Sequence, residues 1–137
     1  MGPRSERLLL GLRSPIINGQ ALVVPLRLRD PRMPFSSENL QVADGGAIRL
    51  PLRGLGIRSI EYDGRDGLFR IIAGAAEDQE KTDFSLWEWD GGERQVKLRE
   101  TAKFDRRLKP EGVTRASSGG REYTLVICDS SGYLVLD

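Results

Sequence analysis

Residues 65–72 read RDGLFRII, and residues 121–128 repeat this pattern loosely as REYTLVIC. A third echo, SERLLL, occupies residues 5–10. A further strand precedes the first two copies, at 57–62 and 113–116, whereas the third copy lies too close to the start of the chain for one. Repeats built from short strands are typical of β-propellers and related arrays. The chain is therefore predicted to form part of such a ring.

Alternating apolar residues and glycine-containing turns predict an all-β protein throughout. The chain 1–137 is interpreted as one domain with three blade-like units, at about 7–54, 55–105 and 106–137. Their strands are expected near 7–13, 20–29 and 47–53, then near 57–63, 67–75, 83–90 and 95–103, and finally near 111–117, 123–129 and 132–136. A propeller blade is a four-stranded antiparallel sheet. The first unit therefore lacks its innermost strand and the third its outermost, which predicts an incomplete β-propeller of about two and a half blades.

The predicted strand 20–29 alternates clearly. Its aliphatic residues share one face and its basic residues the other: Leu22, Val24, Leu26 and Leu28 against Arg27 and Arg29. Pro25 lies in the middle of this run and indicates an edge position or a bulge, because proline cannot donate to a sheet ladder.

Two further segments carry predictions about burial. In the strand 83–90 either face could be core, and the weight of aromatic residues favours the side of Trp87 and Trp89. Residues 30–43 contain two prolines and little periodicity, so they are predicted to form a surface loop with a short turn of helix at 36–39.

The composition describes a soluble globular protein, with 39% hydrophobic and 30% charged residues. A formal net charge of +1 gives no general attraction to nucleic acid or to anionic lipid, so neither is expected as a partner. The longest apolar run, at 21–26, is too short to span a bilayer. The single cysteine, Cys128, neither requires nor excludes an oxidising compartment, and we take the cytoplasm as the favoured location.

Histidine is absent from the chain. This removes the usual general base, the usual zinc ligand, and any serine or cysteine triad that depends on histidine. Acid–base chemistry by carboxylate, lysine or tyrosine remains open, as do cations bound through oxygen.

Four stretches carry a family resemblance: 11–15 (GLRSP) with 18–21 (NGQA), 54–60 (GLGIRSI), 84–91 (FSLWEWDG) and 109–113 (KPEGV). Together they resemble the C-terminal part of a bacterial family of propeller-like proteins classed as a domain of unknown function. Members of that family are considerably longer, and the resemblance implies no established activity. The KPEG motif is also similar to one in calcium-dependent propeller hydrolases such as lactonases and phytase-like esterases. In some of those, a Glu-Gly at the start of an inner strand faces a metal in the central channel.

Three residues at strand ends are candidate site residues: Arg13, Arg58 and Glu111. Glu111, at the start of an inner strand, is a candidate calcium ligand or general acid, or a partner in an ion pair between blades. Arg58 occupies a similar place in the second unit, where it would bind an anion or pair with a carboxylate across a blade interface. Arg13, flanked by Gly11 and Pro15, suggests a bidentate partner that is either structural or a substrate.

These observations predict a protein of unestablished activity, and we favour a non-catalytic propeller-type scaffold or binding module without a cofactor. The alternative is a calcium-assisted hydrolase, lactonase-like or phosphoesterase-like, with its site at the propeller channel. The incomplete ends of the array predict a partner, either a second copy in a homodimer or a complementary propeller part.

Overall fold

The computed structural model describes residues 7–43, 45–77 and 81–136. Within these ranges the chain forms eleven strands in three antiparallel sheets, with a short 3-10 turn at Ser37–Asn39 and no α-helix. The all-β prediction is therefore confirmed. Residues 5 and 6 of the predicted N-terminal echo lie outside the described residues.

Each sheet is formed by consecutive strands of the chain. Sheet 1 contains β1 (Arg7–Gly11), β2 (Ala21–Leu28), β3 (Leu40–Val42) and β4 (Ile48–Leu50). Sheet 2 contains β5 (Gly56–Asp63), β6 (Leu68–Gly74), β7 (Phe84–Trp89) and β8 (Leu98–Phe104) in that spatial order. Sheet 3 contains β9 (Pro110–Ser118), β10 (Arg121–Cys128) and β11 (Gly132–Leu136).

Sheet 1 differs from the prediction in having a strand, β3, inside the segment 30–43 that was expected to be a loop. β2 pairs with β1 on one side, and on the other side with β4 at its beginning and β3 at its end. Pro25 lies at the gap between these two short partners, and its carbonyl oxygen accepts the N–H of Ala43 on that side. Because the N–H and C=O of one strand residue point the same way, the donor that proline lacks would face this gap. An interior strand therefore tolerates the proline.

Sheet 2 lies between the other two and is covered on both faces. One apolar layer packs it against sheet 1 and contains Ile71, Trp87 and Trp89 together with Ala21, Val23 and Leu50. The other layer packs it against sheet 3 and contains Ile72, Phe84 and Leu86 together with Val113 and Val126. The prediction that the tryptophan side of β7 is core is confirmed, and the opposite side is core as well.

The buried face of β2 is the one that carries its smaller residues. Ala21, Val23 and Pro25 are fully buried, whereas the aliphatic side chains that alternate with them are only partly covered. The indole rings of Trp87 and Trp89 fill the space between the sheets, so small residues fit opposite them. The larger residues of β2 consequently lie on the outer face of sheet 1.

Candidate functional site

The segment that follows β1 docks on the first residues of β5. The carbonyl oxygen of Leu12 accepts a hydrogen bond from the backbone N–H of Ile57 over 3.0 Å. A Cβ at Gly56 would lie 1.9 Å from the carbonyl oxygen of Arg13, and a Cβ at Gly11 would lie 2.6 Å from the side chain of Ile57. These two glycines, one in the GLRSP stretch and one in the GIRSI stretch, therefore let the two backbones approach closely.

Arg58 and Glu111 both occupy the extra position of a β-bulge. In β5, Ile57 pairs with Ala73 and Ser59 with Ile72, so Arg58 has no partner in the ladder. In β9 the same slip occurs at residue 111, between Gly112 and Pro110. A bulge re-aims the side chain of its extra residue. Both side chains are thereby directed out of the normal alternation of their sheets.

The two bulged residues bind each other across the junction of sheets 2 and 3. The guanidinium of Arg58 donates through Nη2 to Glu111 Oε1 and through Nε to Glu111 Oε2, the latter over 3.4 Å. The Arg58 side chain is 14% exposed and the Glu111 side chain 35%. The pair is thus a two-point, charge-assisted contact in a partly desolvated position, the strong form of an arginine–carboxylate interaction.

Arg13 joins the same cluster through a backbone carbonyl. Arg13 Nε and Arg58 Nη1 donate to the carbonyl oxygen of Ala75, over 3.3 and 3.2 Å. The guanidinium of Arg58 lies over the ring of Phe84, with its Cζ 5.5 Å from the ring centroid. A Cβ at Gly74 would lie 2.6 Å from that ring and 3.2 Å from Arg58 Cγ, so glycine makes room for the stacked pair. The segment after β1 therefore meets sheets 2 and 3 at one point.

The three predicted site residues are brought together in this arginine–glutamate cluster, defined as Arg13, Arg58 and Glu111. Arg58 pairs with a carboxylate across the junction of sheets 2 and 3, and that carboxylate is Glu111, which thereby forms an ion pair between the two sheets. Arg13 donates to the carbonyl oxygen of Ala75, the residue after β6, which ties the segment after β1 to sheet 2.

Sequence reasoning did not foresee that Arg58 and Glu111 lie at bulges. A signal was present in the spacing of buried residues. Ile57 and Ile60 both face the layer with sheet 1, although residues three apart in a regular strand point to opposite faces. The same spacing separates Pro110 and Val113, which are both buried. This break in the period of two marks the extra residue between them.

A second ionic cluster lies further along β5 and β9 and was missed altogether. Asp63, which is 8% exposed, accepts from Arg70 Nη1 over 2.5 Å and from Arg115 Nε over 2.7 Å. Asp66 accepts from the same two arginines, over 2.7 and 2.8 Å. Asp63 also accepts the backbone N–H of Arg65, in the turn that follows β5. Because Arg70 interrupts an otherwise apolar strand, it was the available signal.

The hydrogen bond from Arg115, supported by the N–H of Arg65 and the charge of Arg70, lowers the pKa of Asp63 to about 2. This outweighs the desolvation that would raise it. Arg58 and Glu111 join β5 to β9 near the starts of both strands, and Asp63 and Arg115 join them further along. Because the order of the contacts is the same in both strands, β5 and β9 run side by side in the same direction.

The carboxylates in these clusters face guanidinium groups. Within the described ranges, no group of three or more side chains of His, Cys, Asp or Glu is placed to hold a metal ion. Cys128 is buried, and burial raises the pKa of its thiol. The arginine–glutamate cluster and the cluster around Asp63 therefore join sheets 2 and 3 through ion pairs.

These features define an all-β protein whose stacked antiparallel sheets are joined by apolar layers and by arginine–carboxylate pairs. A family model described as "Protein of unknown function (DUF3616)" matches residues 2–132, and the chain belongs to that family. The predicted membership of a family of unknown function is thus confirmed. No curated protein and no solved structure matches the chain. Among the described residues, no helix has the length and apolar character that a membrane span requires.

Proposed function

We propose that the three sheets are successive blades of an incomplete β-propeller and that the protein serves as a non-catalytic scaffold or binding module. The chain crosses sheet 2 from β5 to β8 and then starts sheet 3 with β9, which packs beside β5. β5 and β9 carry equivalent bulges, at Arg58 and Glu111. This repetition supports their roles as inner strands of neighbouring blades.

The observation that carries the non-catalytic assignment is the pair formed by Arg58 and Glu111. Both carboxylate oxygens of Glu111 accept from Arg58, and a third donor of Arg58 is used by Ala75. A cation bound to Glu111 would have to displace a guanidinium and would then be repelled by it at short range. A proton donor at this position would likewise lose its charge-assisted bonds. The cluster therefore suits a link between blades better than a metal or acid–base site.

The test is thermal unfolding with and without calcium for the wild type and for Glu111→Gln. A ligand that binds only the folded state raises its Tm. We expect calcium to leave the Tm of the wild type unchanged. In either buffer Glu111→Gln should lower the Tm by about 5 °C, for a loss of about 1.5 kcal/mol. Glu38→Gln, at an exposed carboxylate in the 3-10 turn, is the matched control and should change little.

The opposite result would support the calcium-assisted hydrolase. In that case calcium raises the Tm of the wild type, and Glu111→Gln abolishes the rise. Calcium would still raise the Tm of the control variant Glu38→Gln.

A further inference from the structure

The outer face of sheet 1, turned away from sheet 2, is covered with aliphatic side chains. The cross-strand pairs Leu8–Leu26, Leu10–Val24, Leu26–Val42 and Leu28–Leu40 place them on one side of the sheet. Leu8, Leu10 and Val42 are 55%, 49% and 52% exposed. We call this surface the aliphatic face, and it consists of Leu8, Leu10, Leu22, Val24, Leu26, Leu28, Leu40 and Val42. A contiguous apolar surface of this kind marks an interaction site.

The outer face of sheet 3 is a second apolar surface, at the other end of the stack. In β10 and β11, Val126, Cys128, Leu134 and Leu136 face sheet 2, so the residues that alternate with them face outward. These are Tyr123, Leu125, Ile127, Tyr133 and Val135, which we call the tyrosine face. Ile127, Tyr133 and Val135 are 47%, 67% and 52% exposed.

The way the sheets already stack indicates what covers these faces. We call the face of a sheet that looks toward the beginning of the stack its front, and the opposite face its rear. Sheet 1 packs its rear on the front of sheet 2, and sheet 2 packs its rear on the front of sheet 3. Among the described residues, no sheet covers the front of sheet 1, which is the aliphatic face, or the rear of sheet 3, which is the tyrosine face. A junction between them would repeat the two that exist within the chain. The net charge of +1 adds little repulsion between two copies.

We propose that the tyrosine face of one copy covers the aliphatic face of a second copy. This inference rests on the proposed blade succession. With two such junctions related by a two-fold axis, a pair of chains holds six sheets, which lies within the usual range of about 4 to 8 for closed propellers. The two junctions together should bury more than about 2,000 Å², the area typical of obligate interfaces.

The test is the mass of the 137-residue chain by light scattering at about 50 μM, a concentration at which obligate dimers are assembled. We expect the wild type at twice 15.3 kDa. Leu10→Glu on the aliphatic face and Val135→Lys on the tyrosine face should each halve the mass, because each buries an unpaired charge at both junctions. Both positions are about half exposed in the single chain, so both variants should fold, which circular dichroism checks.

A 1:1 mixture of the two variants gives the sharpest outcome. One of its junctions joins two unaltered faces, and the other joins the glutamate of one chain to the lysine of its partner. The mixture should therefore return to the dimer mass. Tyr62→Lys, at a 57% exposed aromatic residue of sheet 2, is the control and should remain dimeric.

Three results would overturn the proposal: a monomeric wild type, a dimeric Val135→Lys beside a monomeric Leu10→Glu, and a mixture that stays monomeric. The second of these would show that the aliphatic faces pair with each other. The calcium experiment on Glu111 has an independent readout. If the protein is a monomer and calcium does not change its Tm, the docking is wrong and the non-catalytic assignment stands. If it is a dimer that calcium stabilises through Glu111, the docking stands and the non-catalytic assignment is wrong.

Discussion

Replacing Gly56 with alanine should be strongly destabilising. The new Cβ would lie 1.9 Å from the carbonyl oxygen of Arg13, and ordinary contacts begin at 3.4 Å, so the two backbones must separate by about 1.5 Å. That movement breaks the 3.0 Å hydrogen bond from Ile57 to Leu12, which contributes about 1 kcal/mol. Overpacking adds about 2 kcal/mol more. We expect a loss of about 3 kcal/mol, or roughly 10 °C in Tm.

The assay is urea unfolding of Gly56→Ala beside Gly64→Ala, followed by tryptophan fluorescence. Gly64 lies in the turn after β5, and its nearest neighbour to a new Cβ would be Tyr62 Cε1 at 3.9 Å. The control should stay within about 0.5 kcal/mol of the wild type. If both alanine variants unfold at the same urea concentration, the close docking of Arg13 on β5 does not exist, and the junction between sheets 1 and 2 is not tightly packed there.

Two further predictions concern buried polar groups. The folded-state pKa of Asp63, about 2, lies below its ordinary value of 3.8, so its contribution is present above about pH 4 and is lost as the pH falls toward 2. Between pH 6 and pH 2.5 the unfolding free energy of the wild type should fall by about 1.5 kcal/mol more than that of Asp63→Asn, and equal decreases would contradict the pairing. Ser85→Ala should cost about 1–3 kcal/mol in urea unfolding, because the buried Trp87 Nε1 donates to Ser85 Oγ over 2.7 Å and would lose its acceptor. A loss below about 0.5 kcal/mol would mean that the indole finds another partner.

Most strands were predictable from sequence because alternation and turn glycines act locally. The strands expected at 57–63 and 67–75 are Gly56–Asp63 and Leu68–Gly74 in the structure. The short strand Leu40–Val42 was missed because three residues carry too little alternation.

Burial was harder to predict than strand position. The alternation in β2 separates its two faces, but it does not indicate which of them is covered by a second sheet. The covered face holds Ala21 and Val23 because Trp87 and Trp89 lie opposite, and that pairing depends on how the sheets stack. The larger side chains stayed on the outside, where they form the aliphatic face.

The candidate site was predictable in part. Arg13, Arg58 and Glu111 were selected from their positions near strand ends, and the structure places them in one cluster. Their contacts were not predictable, since Arg58 and Glu111 are 53 positions apart and meet only through two bulges and the packing of two sheets. The pairing of Asp63 with Arg115 was not predictable for the same reason, since these residues are 52 positions apart.

A double-mutant cycle on Arg58 and Glu111 tests most directly whether the arginine–glutamate cluster joins the sheets. Unfolding free energies are measured for the wild type, Arg58→Gln, Glu111→Gln and the double variant, so that the coupling between the two side chains is isolated. A two-point, partly buried pair should give a coupling of about 1.5 kcal/mol that persists at moderate salt. A coupling below about 0.3 kcal/mol would contradict a structural role for the pair and would leave Glu111 open to another function.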